Sequence, residues 1–351
     1  MAYPGHRIGP NGETYNPTLK APKEINLEQD CMVLNTAMKG AGTDEDAVID
    51  ILGHRTLKQR LAIRDHYKAT FGEDLIDKLT GELTGNFEDL VQMLLKESAT
   101  TKAKALYKAM AGAGTKESVI IEILCTASNK EIRDIKRAYV EDPSRTLESD
   151  IKDDLGGDFE RLAVALLQGV REELSEEQME KLKRQGIQGI LNKQLVSKDV
   201  EDLYKAGEGR LGTDEGTFIR ILSTRNVWHL QAVTKLYEQK TKKSLMEAIE
   251  SETSGTFESA LKFTLLTCLN RIEAYATLIK EAMDGLGTAD STLMRIIATR
   301  CEVRADLVDL GNICQLFEAR EQQSLEQRIR EETSGDYRKL LLALLGSRWQ
   351  E

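Results

Sequence analysis

The amino-acid sequence predicts an all-α fold built from four repeated units of about five short helices each. Charged residues make up 30% of the 351 residues, aromatic residues only 5%, and there are five prolines, a balance that favours helices over sheets. An apolar triplet also recurs four times at the i, i+3, i+4 spacing of a buried helical face. The triplets are Val48, Ile51, Leu52; Ile120, Ile123, Leu124; Phe218, Ile221, Leu222; and Leu293, Ile296, Ile297.

Each triplet follows a short glycine loop that ends in threonine. The loops span residues 38–43, 110–115, 207–213 and 283–288. The threonines (Thr43, Thr115, Thr213 and Thr288) can cap the helix that follows. Acids in the first helical turn suit the positive end of the helix dipole. We therefore expect an exposed loop leading directly into a buried helix in every unit.

A second short motif is repeated in each unit and begins with an acidic residue. In the first three units this acid lies 40 residues after the last glycine of the loop. In the fourth unit the acid comes five residues later, and we expect a loop within 300–326 to absorb the extra length. The four acids are Glu82, Asp154, Glu252 and Glu332. The glycine three residues after each acid is expected to end one helix and turn the chain into the next. The aromatic two residues further on is expected to anchor that next helix in the core.

These spacings predict an N-terminal arm and four repeats of about 70 residues. The predicted arm is 1–26, the repeats are 27–98, 99–171, 199–272 and 273–351, and a linker occupies 172–198. Ser175 and Gln178 can form a capping box, which predicts an extra connecting helix between two pairs of repeats. The arm holds four of the five prolines and has no periodic pattern, so we expect it to be extended and mobile.

The composition argues against several classes of function. With a formal charge of -10, the chain will not coat nucleic acid or anionic lipid through simple charge attraction and would need a bridging cation. Without an apolar signal segment or a run of about 18 apolar residues, a cytoplasmic protein is expected. The five cysteines are odd in number and widely spaced, which indicates reduced thiols. No nucleophile with a base and oxyanion donors can be identified, and the four histidines lack metal or triad spacing, so an enzyme is not predicted.

The glycine loops and remote acids together suggest an open calcium site. A loop at a helix end points carbonyl oxygens outward, and glycine allows the backbone turns that make them converge. Calcium takes six to eight oxygens, so one remote carboxylate would leave positions for a lipid phosphate. The alternative is that the glycines only form tight turns and the acids only cap helices. Four copies with the same partner acid favour the metal site. The loops lack both the phosphate-binding Gly-x-x-x-x-Gly-Lys pattern and the contiguous EF-hand pattern.

These loops and acidic strings resemble the annexin family over about residues 27–347. The resemblance implies a curved disc of four five-helix repeats, whose convex face carries calcium sites that dock reversibly on acidic phospholipid membranes. Position by position, it implies carbonyl ligands and one carboxylate in each repeat. The implied metal ligands are Met38, Gly40, Gly42 and Glu82; Met110, Gly112, Gly114 and Asp154; Gly207, Arg210, Gly212 and Glu252; and Met283, Gly285, Gly287 and Glu332.

Three further features bear on these sites. Asp154 is one methylene shorter than the glutamates, which reduces its reach toward a metal. Leu211 and Leu286 at the loop tips either enter the headgroup region of a membrane or pack between helices. Arginines thirteen residues after three of the loop glycines are expected to bond the last carbonyls of the helix rather than lipid. These arginines are Arg55, Arg225 and Arg300.

The leading functional hypothesis is therefore calcium-dependent binding of acidic membranes, in membrane organisation or vesicle association. Such a protein would be cytoplasmic and peripheral on membranes when calcium is high, and an external location reached without a signal stays open. The alternative is a helical scaffold or adaptor that recruits a protein partner through the N-terminal arm. Nucleic acid is not an expected partner.

Overall fold

The computed structural model describes residues 16–40, 42–112, 114–139, 145–285, 287–302 and 308–350. Within these ranges the regular elements are 21 α-helices and one short 3-10 helix, without any strand. The predicted all-α fold is confirmed. In the described part of the chain, no helix combines the length and apolar character needed to cross a bilayer.

Each repeat contains five helices, as predicted. The first has α1 (Leu27–Ala37), α2 (Glu45–Leu52), α3 (Leu57–Phe71), α4 (Leu75–Glu82) and α5 (Gly85–Leu94). The second has α6 (Ser98–Met110), α7 (Glu117–Thr126), α8 (Asn129–Ala138), α9 (Leu147–Asp154) and α10 (Gly157–Leu167). After α11 (Glu176–Gln185) and the 3-10 helix Ile187–Gly189, the third has α12 (Lys193–Ala206), α13 (Glu215–Thr224), α14 (Val227–Thr241), α15 (Leu245–Glu252) and α16 (Gly255–Leu269). The fourth has α17 (Arg271–Met283), α18 (Asp290–Arg300), α19 (Leu310–Glu321), α20 (Leu325–Glu332) and α21 (Gly335–Leu344).

The core is formed by the side chains that the repeated apolar pattern predicts. All twelve residues of the four triplets are at most 5% exposed. The aromatics near the start of α5, α10, α16 and α21 are also buried. Burying each such side chain contributes about 1.5–3 kcal/mol relative to leaving it in water. The glycines that open these four helices have φ between +61° and +66°, as expected for a turn between consecutive helices.

The helices form two compact units, residues 1–101 with 275–351 and residues 102–274. In the first unit α2 packs against α21 and α18 against α5. In the second, α7 packs against α16 and α10 against α13. The first repeat is therefore grouped with the fourth, and the second with the third, rather than in chain order.

The predicted linker helix exists as α11. The Ser175 hydroxyl accepts from the Gln178 backbone N–H at 3.2 Å, and the Gln178 side chain accepts from the Ser175 N–H at 3.0 Å. This confirms the capping box. The helix lies between the second and third repeats, which belong to the same compact unit.

Part of the predicted mobile arm is held against the repeats. The backbone N–H groups of Thr18 and Leu19 both donate to the carbonyl of Cys301, at 3.1 and 3.0 Å. The Thr18 hydroxyl donates to the Leu344 carbonyl at 2.7 Å, and the Gln59 amide donates to the Pro22 carbonyl at 2.8 Å. The prediction of a mobile arm is therefore wrong for this stretch, because backbone pairing of this kind leaves no periodic signal in the sequence. Residues 1–15 lie outside the described part of the chain.

Candidate metal centres

The four glycine loops share one backbone arrangement. In each, the residue two positions after the last glycine donates its N–H to the carbonyl of a buried alanine near the end of the preceding helix. The bonds are Asp44 to Ala37 at 2.9 Å, Lys116 to Ala109 at 2.9 Å, Asp214 to Ala206 at 2.7 Å and Ala289 to Ala282 at 2.7 Å. Each loop is therefore closed at its base by the same hydrogen bond.

Within the loops the backbone turns through the left-handed region that glycine enters without strain. The φ values are +108° and +97° for Gly40 and Gly42, +106° and +91° for Gly112 and Gly114, +78° for Gly212, and +122° and +92° for Gly285 and Gly287. All seven glycines are exposed. A side chain at these positions would meet open space, so the requirement for glycine is conformational rather than steric.

The remote acid ends an eight-residue helix in every repeat: α4, α9, α15 and α20. Glu332 therefore keeps the position of the other acids despite its later place in the sequence. The extra residues fall between α18 and α19, where residues 303–307 lie outside the described ranges.

The third repeat brings its acid directly onto the loop. The Thr213 hydroxyl lies 3.1 Å from Glu252 Oε2 and 2.9 Å from the Glu252 carbonyl oxygen. A Cβ atom added to Gly207 would lie 3.0 Å from Glu252 Cγ. Two of the residues predicted as ligands in this repeat, Gly207 and Glu252, thus lie in contact at the start of the loop.

The second repeat makes an equivalent contact with its shorter acid. The Thr115 hydroxyl donates to Asp154 Oδ2 at 2.6 Å. The missing methylene therefore does not prevent the carboxylate from reaching the residue that follows the last loop glycine. Ala113, between the two loop glycines, lies outside the described ranges.

The first repeat does not bring its acid onto the loop. Glu82 is exposed, and among the described residues it has no hydrogen bond or ion pair to the loop. Its side chain lines a surface cleft together with Glu45, Asn86 and Asp336. The Thr43 hydroxyl, equivalent to those of Thr115 and Thr213, is buried without a hydrogen-bond partner.

In the fourth repeat an arginine lies between the predicted ligands. Arg328 Nη2 donates to the Met283 carbonyl at 2.9 Å and lies 3.2 Å from Glu332 Oε1. It also lies 3.4 Å from Asp284 Oδ1. The loop carbonyl and the acid are therefore linked through a guanidinium group. Leu286, at the tip of this loop, falls outside the described ranges.

The loop threonines do not cap the helices that follow, contrary to prediction. The N-cap residues are Asp44, Lys116, Asp214 and Ala289. Asp44 and Asp214 accept from backbone N–H groups three residues on, at 3.0 and 3.4 Å. Thr115 and Thr213 instead bond the remote acid, a role that the sequence analysis missed. Their constant place, one residue after the last glycine, is the signal that could have indicated it.

The three arginines have structural roles, and two of them pair with acids that the sequence did not indicate. Arg55 donates two hydrogen bonds to Asp30, both at 2.8 Å. Arg225 bonds Asp199 at 2.6 and 3.2 Å. Arg300 is fully buried, with its guanidinium carbon 4.5 Å from the centre of the Tyr275 ring. Arg55 and Arg225 thus pair with acids on the first helix of their repeat.

The donor atoms present fit a hard cation held largely by the backbone. Among the described residues, no three His, Cys, Asp or Glu side chains converge on one point. A metal would therefore depend on loop carbonyls with one carboxylate, and oxygen donors of this kind suit calcium. The third repeat meets this description most completely. Beside it, Leu211 is fully exposed at 101% of its reference surface.

The chain is similar to known proteins along most of its length. The family model described as Annexin matches residues 29–94, 101–166, 198–263 and 274–344. Annexin A13 of Schistosoma japonicum is 55% identical over 350 residues, which cover 97% of this chain and 98% of that protein. Human annexin A7 is 42% identical over 94% of this chain, which spans 64% of that longer protein.

A solved structure described as calcium-bound annexin (Sm)1 has a similar fold. It superposes with a TM-score of 0.84 at 33% identity, over 97% of this chain and 95% of that one. The four segments that match the family model account for most of the sequence, and one relative is similar along almost its whole length. Both findings assign the chain to the same family. The chain belongs to the annexin family.

Proposed function

We propose that this protein binds acidic phospholipid membranes in a calcium-dependent manner, with lipid headgroups completing the coordination of calcium at the loops. The observation that carries the proposal is the third repeat, where Glu252 lies against Gly207 and bonds Thr213 beside an exposed, left-handed glycine. The calcium-bound neighbour supports calcium as the metal.

The proposed ligand sets differ in whether the remote acid contacts its loop. In the third repeat they are the carbonyls of Gly207, Arg210 and Gly212 with the Glu252 carboxylate. In the second repeat they are the carbonyls of Met110, Gly112 and Gly114 with Asp154, which already bonds the loop. The first set (Met38, Gly40, Gly42 and Glu82) requires Glu82 to turn toward its loop, where the Thr43 hydroxyl would gain a partner. The fourth set is Met283, Gly285, Gly287 and Glu332.

Charge explains why the metal would control membrane binding. The chain carries a formal charge of -10 and is repelled by an anionic bilayer. When bound, calcium would supply local positive charge between the two negative surfaces. Several weak sites on one chain add through avidity, so binding should rise steeply with calcium. The exposed Leu211 side chain beside the third loop is proposed to enter the headgroup region, and Leu286 is proposed for the same role in the fourth.

The test is co-sedimentation with phosphatidylserine vesicles over a range of free calcium. We expect binding with calcium and release by chelator, and Glu252→Gln should raise the calcium midpoint. Glu250→Gln is the matched control, because Glu250 lies on the same helix, carries the same charge and pairs with Lys262 at 3.4 Å instead of contacting the loop. Equal vesicle binding in chelator, or equal midpoints for the two variants, would contradict the proposal.

A cytoplasmic location with reversible membrane association is part of the same proposal, as is a role in membrane organisation or vesicle association. The adaptor hypothesis, with a protein partner for the N-terminal arm, stays a prediction. The contacts of Thr18 and Leu19 with Cys301 leave residues 1–15 as the part of the arm to test for it.

A further inference from the structure

The fourth repeat has a cation among its own proposed calcium ligands. Arg328 contacts both ends of the site, since it bonds the Met283 carbonyl at 2.9 Å and lies 3.2 Å from Glu332 Oε1. These are the same kinds of oxygen that would hold a metal: one backbone carbonyl and one carboxylate. A guanidinium group matches them because it presents several N–H donors and keeps its charge at all physiological pH values.

Within the residues that the structure describes, no cation pairs with the remote acid of the other three repeats, although Lys243 pairs with Glu208 of the third loop at 3.2 Å. The position four residues before the acid holds Lys78, Asp150 and Ala248 in the first three repeats. Lys78 pairs with Glu73 at 3.3 Å, away from the first loop. Asp150 accepts a hydrogen bond from Tyr139, and Ala248 is buried in the core. Arg328 is therefore a feature of the fourth repeat alone among these four positions.

The loop of the fourth repeat adds a second contact for this cation. Asp284 follows Met283, where the first two loops have Lys39 and Ala111. Its carboxylate lies 3.4 Å from Arg328 and also pairs with Lys280. Arg328 thus lies among two carboxylates and a carbonyl, and it is 27% exposed, which leaves it a path into solvent.

We propose that Arg328 acts as a built-in competitor for calcium at the fourth repeat, so that calcium enters this site only by displacing the guanidinium from Met283 and Glu332. The inference rests on the proposed function. Because one cation must leave before another can bind, the fourth site fills at higher calcium than the second and third. The protein therefore responds to calcium in two ranges, with repeats two and three binding first.

The test isolates the fourth site in the full-length chain. Glu82→Gln, Asp154→Asn and Glu252→Gln are combined, and calcium chloride is titrated calorimetrically with and without phosphatidylserine vesicles. Adding Arg328→Gln should lower the calcium Kd of the remaining site about tenfold, because a positive charge within a few ångströms of the metal is removed. The calcium-induced rise in Tm should increase in parallel.

Arg330→Gln is the matched control. Arg330 lies on the same helix and carries the same charge, but it pairs with Glu326 at 3.1 Å and donates to the Arg348 carbonyl at 2.7 Å. It should leave the calcium Kd unchanged. Adding Glu332→Gln to Arg328→Gln should abolish the gain, and circular dichroism without calcium should show that every variant is folded.

The outcomes separate this inference from the proposed function. A Kd that is unchanged or increased by Arg328→Gln, while the chain with all four acids binds calcium, overturns the competitor role alone. Failure of the unmodified chain to bind calcium even with vesicles present would overturn both.

Discussion

At the scale of single residues, the contact between Gly207 and Glu252 explains why a glycine starts the third loop. Gly207 has a negative φ of -120°, so its requirement for glycine does not come from a left-handed turn. It comes from space, because a Cβ atom there would lie 3.0 Å from Glu252 Cγ and 3.3 Å from its carboxyl carbon. These distances are tighter than ordinary van der Waals contact, so any side chain would push the acid away from the loop.

Gly207→Ala should therefore weaken calcium binding at the third repeat without removing a ligand atom. We expect the calcium midpoint for vesicle binding to rise, by less than the roughly tenfold effect expected from losing the charged ligand in Glu252→Gln. Because both changes act through the same carboxylate, the double variant should resemble Glu252→Gln alone. Co-sedimentation of the two single variants and the double variant checks this. Additive shifts would show that Gly207 acts independently of Glu252.

The buried histidine shows where residue-level prediction failed. The spacing of His229 in the sequence indicated no partner, but the residue is buried and its Nε2 lies 2.8 Å from Asp199 Oδ2. Burial alone would raise the pKa of Asp199, yet the hydrogen bonds from Arg225 and His229 outweigh it and lower the pKa below its ordinary value. Because the pKa of Asp199 is lowered in the folded state, the ionised Asp199 carboxylate stabilises the fold. This stabilisation is complete above the ordinary aspartate pKa and is lost as pH falls through the lower folded value. Asp199 lies on α12, His229 on α14, and Arg225 directly follows α13, so sequence spacing could not indicate the cluster.

At the scale of elements, the helices were the most predictable feature and the arm the least. A buried helical face needs apolar residues at positions i, i+3 and i+4, as in Val48, Ile51 and Leu52. This spacing is visible in the sequence and predicts the helix. The arm is held by backbone hydrogen bonds to Cys301, and Gly311 and Gly346 leave the space that it occupies. Neither feature produces a pattern in the sequence of the arm itself. A Cβ atom on Gly346 would collide with the Thr18 carbonyl oxygen.

Gly346→Ala should therefore detach the arm. Gly346 has φ +69° and Gly72 has φ +75°, so alanine at either position costs about 1–2 kcal/mol of left-handed strain. A side chain on Gly72 meets open space, which makes Gly72→Ala the matched control. Gly346→Ala should lower the free energy of unfolding by about 1 kcal/mol more than Gly72→Ala, since the hydrogen bonds of the arm are also lost. Urea denaturation measures this difference, and faster proteolysis near Thr18 should accompany it. Equal losses in the two variants would show that the arm adds no stability.

At the scale of the whole molecule, the sequence predicted the number of repeats and the identity of the loops, but not which repeats pack together. The repeat pattern specifies local helices, whereas the pairing of α2 with α21 depends on contacts far apart in the chain. The same limit applies to the sites. The number of residues between each loop and its acid is visible in the sequence. The contacts that the Glu82 and Arg328 side chains make depend on neighbouring residues in the folded protein, so the sequence could not predict them.

The two compact units should therefore contribute unequally to calcium-dependent membrane binding. In residues 102–274 both acids already contact their loops, through Thr115 and Thr213. In the other unit Glu82 is exposed and has no hydrogen bond to its loop among the described residues, and Glu332 is paired with Arg328. Neutralising Asp154 and Glu252 together should raise the calcium midpoint for phosphatidylserine vesicles more than neutralising Glu82 and Glu332.

The control for this comparison is the double variant Asp153→Asn and Glu250→Gln. It makes the same charge change on α9 and α15 but removes residues that pair with Arg145 and Lys262 rather than contacting the loops. Its midpoint should stay at the wild-type value, or fall slightly because the protein becomes less acidic. Equal shifts for the two pairs of site acids, or a larger shift for Glu82 with Glu332, would mean that the preformed contacts to Thr115 and Thr213 do not determine which loops bind calcium first.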